Sequence, residues 1–233
     1  MRDAEHGTGS PGGTDVDPGT DVDPGTDADT GAGGFVRDGA WHSVPRRTAP
    51  EGPAQALVLV DAQRAFLTGP DAVPDAERLV GRLAALLERA RDAGAVVVHL
   101  RNDGEPGAVD EPGAPGWELY FPVRRTPGEH LVPKEDDDGF TGTPLGAILA
   151  DAGVRRVVIG GVLSEMCVSA TAAGAVERGL LVVLPHDAHA TYHLDDIPAS
   201  VVSRVAEHAL GSDPEFVASS DTVRFTAPAP AGR

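Results

Sequence analysis

Cysteine is the strongest side-chain nucleophile near neutral pH, and this chain of 233 residues contains one, Cys167. It lies in Gly160-Gly161-Val162-Leu163-Ser164-Glu165-Met166-Cys167-Val168. The preceding apolar run, 154–159, reads as a buried strand, and residues 169–179 read as a helix closed by Gly179. Such a strand-to-helix turn sets Cys167 at or near a helix N-terminus, where unpaired N–H groups and the macrodipole favour an anion. A thiol so placed is expected to have a lowered pKa and a larger thiolate fraction. A free cysteine can equally be a small buried apolar residue; its position on the turn favours the nucleophile. Two further reactive groups fall at comparable places. Asp61 closes the apolar run 55–60, and Lys134 is read as lying in a loop. A carboxylate could take the thiol proton, and a cation could hold the resulting charges. Taken singly, Asp61 and Lys134 read as partners of an ordinary ion pair.

The elements that must position these groups follow from hydrophobic period. Residues 55–61 form a continuous apolar run ending in a carboxylate, the pattern of a buried parallel strand. Ligands of open α/β sheets bind beyond such carboxyl ends. Residues 74–93 form an amphipathic helix, with Leu79, Leu83, Leu86 and Leu87 at helical spacing and Gly94 as its stop. Residues 95–100 are the next strand. The Gly- and Pro-rich excursion 101–133 carries Trp117, Tyr120 and Phe121; a loop of that length in a compact domain is usually functional. Thr143 and Pro144 start a helix that runs to about residue 152. Strands at 180–184 and 215–217 flank a helix at 197–210. This alternation predicts a three-layer α/β/α domain with a mostly parallel sheet and right-handed crossovers.

Composition bounds the function. The net charge is −17, without a basic patch, so nucleic acid and anionic membrane surfaces are poor partners. No N-terminal apolar segment and no bilayer-length apolar run occurs, and a lone cysteine forms no intrachain disulfide; a cytoplasmic protein is expected. Residues 1–34 carry the repeat Thr14-Asp15-Val16-Asp17-Pro18-Gly19, Thr20-Asp21-Val22-Asp23-Pro24-Gly25, then Thr26-Asp27-Ala28-Asp29-Thr30-Gly31. Eight acidic residues against one basic give this segment −7. With little apolar surface to offset ordering entropy, it reads as a disordered tail rather than a calcium array. The predicted organisation is a tail at 1–34, a transition segment at 35–53, a domain at 54–219 and a C-terminal tail at 220–233.

Three ordered motifs then carry a resemblance: Val60-Asp61-Ala62-Gln63-Arg64-Ala65-Phe66; Lys134 with Gly139-Phe140-Thr141-Gly142-Thr143-Pro144-Leu145; and Gly161 through Val168. Together the chain resembles the isochorismatase-like cysteine hydrolase superfamily, which includes nicotinamidases, N-carbamoylsarcosine amidases and isochorismatases. The resemblance implies that Cys167 attacks a carbonyl carbon, Asp61 moves the protons and Lys134 holds Asp61. It further implies an oxyanion hole from the backbone N–H groups of Leu163 and Cys167, with a cis peptide before Leu163. Gln63, Phe66, Trp117, Phe140 and His189 are expected to line the substrate pocket.

Departures from the family pattern narrow the reading. Nicotinamidases bind a metal through histidines after the second strand, where this chain has Arg101-Asn102-Asp103-Gly104-Glu105-Pro106. No metal and no cofactor is therefore expected. His186 and His189, or His189 and His193, could ligate a metal if helical, but the segment reads as loop, with hydrogen bonding and pocket lining as its role. The expected activity is cleavage of an amide, lactam or carbamoyl C–N bond in a small molecule by a homo-oligomeric enzyme. The segments 161–168 and 184–192 look like the branch that opens the cyclic amide of a cationic antibiotic. The alternatives are vinyl ether hydrolysis, which needs no cysteine, and an idle scaffold with a redox-sensitive thiol.

Overall fold

The computed structural model describes residues 35–37, 40–42 and 47–229, with side chains from residue 47 onward. The predicted tail at 1–34 lies outside the described residues, as do the side chains of Trp41 and His42. All described elements belong to one unit, residues 32–233.

Seven parallel strands form the central sheet. In chain order the elements are β1 (Phe35–Arg37), β2 (Ala40–His42), β3 (Ala56–Val60), α1 (Arg64–Leu67), α2 (Ala76–Asp92), β4 (Val96–Asn102), β5 (Glu129–Lys134) and α3 (Leu145–Asp151), then β6 (Arg156–Val162), a π-turn (Ser164–Val168), α4 (Ser169–Glu177), β7 (Leu181–Pro185), β8 (His189–Ala190), α5 (Ala199–Ala209) and β9 (Glu215–Val217). The sheet order is β5-β4-β3-β6-β7-β9, with β8 beside β6. β1 and β2 form a separate antiparallel pair.

Every residue of β3 and of β6 is buried. Their uninterrupted aliphatic runs suit strands covered on both faces. The two-residue period of a strand divides the core. Leu57, Leu59, Val97 and Val158 pack with the α2 face of Leu79, Leu83, Leu86 and Leu87. Ala56, Val58, Val60 and Ile159 pack with Leu145 and Leu149 of α3 and Ala172 and Ala175 of α4. Each large aliphatic side chain so covered contributes about 1.5–3 kcal/mol. The centre of the sheet is thus a rigid base, and β3, β4, β5 and β6 all run to the same carboxyl edge.

Three features differ from the reading of the chain alone. The excursion after residue 100 ends in a strand, β5, so Lys134 closes a strand and pairs in register with Asn102 of β4. That strand was hidden because it is an edge strand whose polar and apolar residues do not alternate and whose Pro133 cannot donate to a ladder. Second, the residues before α4 form a π-turn, with Met166 at φ −112° and ψ −108°. Third, residues 220–226 are packed: Val223 is buried, and Thr226 N–H donates to Ala54 O at 2.9 Å. Among the described residues no helix is long and apolar enough to cross a membrane.

Candidate active site

The chain bends sharply where the reactive groups sit. Asp61 follows β3 at φ 47°, in the left-handed region that Asp tolerates better than most residues. Beside it, Gly161 has φ 137°, and a Cβ there would fall 1.9 Å from Val60 O. Only glycine lets β6 pass so close to β3 at this point. The peptide Val162–Leu163 is cis, at the position the resemblance implies. The chain then enters the π-turn, where Val168 N–H donates to Leu163 O at 3.1 Å. Ser169 Oγ donates to Ser164 O, and Thr191 Oγ1 to Glu165 Oε1 at 2.8 Å, so side chains tie the turn at both ends.

Three strand ends bring Asp61, Lys134 and Cys167 together. Lys134 Nζ lies 2.9 Å from Asp61 Oδ2 and 3.4 Å from Cys167 Sγ. It also donates to Asn102 Oδ1 at 3.3 Å and to Asp136 O at 3.1 Å. Lys134 thus faces four acceptors with three protons. Cys167 Sγ donates to Asp137 Oδ1 at 3.3 Å. Asp61 and Lys134 are almost wholly buried, at 2% and 3% exposure. Among the described residues, buried Asp61 Oδ1 finds no hydrogen-bond partner. The Cys167 thiol is near enough to lower the Asp61 carboxyl by hydrogen bonding, although its donation at 3.3 Å goes to Asp137.

Burial sets the electrostatics. It raises the Asp61 carboxyl to about 6, against the pull of Lys134 and the thiol. At Lys134 burial works against the ammonium, but the Asp61 carboxylate and Cys167 more than offset it, and the pKa rises. Burial and then the Asp61 charge push the Cys167 thiol up, against the pull of Lys134. This reverses the expectation of a lowered thiol pKa. Desolvation in a pocket that already holds a carboxylate disfavours the thiolate, and α4 starts two residues further on. The resting site is therefore a thiol beside a carboxylate–ammonium pair.

The other residues expected to line the pocket separate. Gln63 is fully buried, and its amide bonds the backbone of Asn102 (Nε2 to O, 3.0 Å; Oε1 from N, 2.8 Å) and Trp117 O (3.2 Å). It braces the wall behind the site and presents no free group to a ligand. Trp117 is held by Asp103 Oδ1 at 2.7 Å, with the Arg101 guanidinium over its ring at 3.6 Å. Phe140 is buried within the α3–α4 side of the core, whereas Phe66 is half-buried against its α2 side. His189 is buried behind the π-turn, bonded to Ser164 and Glu207. Asn102 and Asp137, which meet Lys134 and Cys167, stand outside the expected triad. A polar residue at the end of an apolar strand signals the first. Nothing in the run Glu135-Asp136-Asp137-Asp138 singles out the second.

A cleft of about 480 Å³ adjoins the site, lined by Asn102, Asp103, Gly104, Glu105, Glu111 and Glu135 among others. Asn102 is shared, because it also receives Lys134. Among the described residues that line the cleft, four are carboxylates and none is a cation.

The Isochorismatase domain model matches residues 55–209. The chain belongs to this family and is a hydrolase of it. It is 56% identical over 187 residues to a streptothricin hydrolase of Streptomyces noursei, covering 77% of this chain and 74% of that one. An isochorismatase from Pseudomonas putida superposes with a TM-score of 0.66 at 27% identity, over 75% of this chain and 94% of that one. N-carbamoylsarcosine amidase from Thermoplasma acidophilum gives a TM-score of 0.58 at 29% identity, over 71% and 96%.

Proposed function

We propose that this hydrolase cleaves an amide through Cys167, and that its substrate is a cyclic amide in a cationic compound of the streptothricin kind. The observation that carries the reading is the position of Lys134 Nζ, 2.9 Å from Asp61 and 3.4 Å from Cys167. One ammonium there holds the base and favours the thiolate at the moment it forms.

Asp61 takes the thiol proton, and Cys167 Sγ attacks the carbonyl carbon. The backbone N–H groups of Leu163 and Cys167 receive the oxyanion, each donor lowering the barrier by roughly 3–4 kcal/mol. Asp61 returns its proton to the nitrogen as the C–N bond breaks, leaving an acyl-thioester. A water then gives its proton to Asp61 and attacks the thioester; the thiol re-forms, and one water has been added overall. With its carboxyl near 6, Asp61 is poised to accept and return a proton near neutral pH. The resemblance to a streptothricin hydrolase at 56% identity supports a lactam as the amide. The four carboxylates of the adjoining cleft support a cationic substrate, which they attract most strongly at low salt.

The test is mass spectrometry of streptothricin incubated with the enzyme. A gain of one water, absent with the Cys167→Ser protein, is expected. No change in streptothricin, alongside rapid cleavage of a simple amide or carbamoyl compound, would remove the substrate assignment and keep the chemistry. Vinyl ether cleavage that survives Cys167→Ser would move the chain to the isochorismatase reaction.

A further inference from the structure

A second polar cluster lies behind the π-turn and takes no part in the reaction just described. His186 follows β7, His189 belongs to β8, and Glu207 lies on the buried face of α5. Glu207 Oε1 is 2.8 Å from His186 Nδ1 and 3.1 Å from His189 Nε2. These three atoms lie within 4.8 Å of one another. We propose that His186, His189 and Glu207 bind a divalent transition metal, of which Zn²⁺ is the representative, at a structural site separate from the Asp61–Lys134–Cys167 centre.

The argument is geometric. Donor atoms about 2.1 Å from one ion in the tetrahedral array that Zn²⁺ prefers stand about 3.4 Å apart. The two observed separations, 2.8 and 3.1 Å, are shorter than that by less than about 0.7 Å, so side-chain rotations that widen them would admit an ion. Two imidazoles and one carboxylate form a donor set that suits Zn²⁺ and its neighbours. The outer partners fit as well. A ligating histidine characteristically donates its other ring N–H to a fixed acceptor. Here His189 Nδ1 is 2.8 Å from Ser164 Oγ, which is 2.9 Å from Ser203 Oγ.

Protons balance in both states. Without metal, His189 Nε2–H and His186 Nδ1–H donate to Glu207, and Ser164 O–H donates to His189 Nδ1. With metal, both rings change tautomer: His189 Nδ1–H donates to Ser164 Oγ, Ser164 O–H turns to Ser203, and no proton leaves the cluster. The His186 side chain is 31% exposed, which opens a route for the ion and a position for water. Arg204 Nε stands 3.8 Å from Glu207 Oε2 and so faces the oxygen that the ion does not need. The pair His186 and His189 is visible in sequence; the third donor, Glu207, comes from a helix eighteen residues further on and is supplied by the fold.

The site would join the β7–β8 connection to α5 and, through Ser164, to the turn that holds Cys167. Its effect is on stability, and Cys167 is not among its ligands. The test uses the full-length, untagged protein, stripped with a chelator and titrated with ZnCl₂ by calorimetry. Co²⁺ absorption spectra report the ligand field. The expected result is one equivalent bound, with Tm raised by roughly 5 °C at saturating metal. Binding should persist in Cys167→Ser, which excludes the thiol as the ligand. Glu207→Gln and His186→Ala should each weaken binding at least roughly tenfold; His186→Ala removes the most exposed donor and keeps a folded control. Failure of millimolar Zn²⁺ to bind saturably, or binding untouched by either substitution, would overturn the site and leave a hydrogen-bonded clamp. Neither outcome depends on any substrate, so the result is independent of the proposed amide chemistry.

Discussion

The Asp61–Lys134–Cys167 cluster and the His186–His189–Glu207 cluster stand on opposite sides of one turn, and both are held in the fold by burial. In the first, Asp61 Oδ1 finds no hydrogen-bond partner among the described residues, and burial pushes both the carboxyl and the thiol above their ordinary pKa values. In the second, His189 bonds through both ring nitrogens, and Ser164 meets both His189 and Ser203. A buried polar group left unmet is costly and reactive, whereas a satisfied network rigidifies what it touches. On the proposed mechanism the two clusters would divide the labour around residues 163–168: one side would move protons, and the other would hold still the backbone proposed to receive the oxyanion.

The sharpest way to break this comparison is to remove the reactive atom. Cys167→Ser should lower turnover at least about a thousandfold while leaving the melting temperature nearly unchanged. Asp61→Asn should lose turnover to a similar degree, but it also strands the buried Lys134 ammonium. A stability loss of roughly 3–5 kcal/mol in denaturant titrations is therefore expected. Equal stability of the two variants would show that the Asp61–Lys134 pair is not coupled to the fold.

The pH profile comes next. The Asp61 carboxyl, raised to about 6, must be ionised to accept the thiol proton. Turnover should thus fall roughly tenfold per pH unit below that value and level off above it. A profile flat from pH 5 to about 8 would place the base elsewhere.

A smaller effect is expected from the turn itself. Gly161→Ala puts a methyl group 1.9 Å from Val60 O at φ 137°, and should cost about 3 kcal/mol, read as a lower denaturant midpoint. Ser164→Ala cuts the link between the two clusters. It should cost about 1–2 kcal/mol, with kcat reduced more than KM changes. If kcat is untouched, the second cluster holds the fold without positioning the turn. The least effect belongs to removal of residues 1–31, whose sequence has no apolar face; kcat should stay within about 1.5-fold.

Much of this was legible along the chain. The short, Val- and Leu-rich aliphatic runs that became β3 and β6 read as buried strands, because runs of that length covered on both faces suit a parallel sheet. The carboxylate and the cysteine at their ends followed from strand polarity. The strand end of Lys134 was not legible, because an edge strand exposes one side and needs no clear apolar period. The lowered thiol pKa was wrongly expected for a related reason. A helix start can be read from local residue types, but desolvation by Asp61 and by neighbouring elements cannot.

Periodicity and residue order therefore determined the parallel sheet, its carboxyl edge and the placement of Asp61 and Cys167 near that edge. Tertiary structure alone decided which acceptors Lys134 meets, that Asn102 and Asp137 stand beside it, that Gln63 is spent on the wall, and that Glu207 completes a set with two histidines. The physical reason is range. Burial pattern is written in neighbours three or four residues apart, whereas hydrogen bonds and charge interactions act over a few ångströms between residues that only folding brings together.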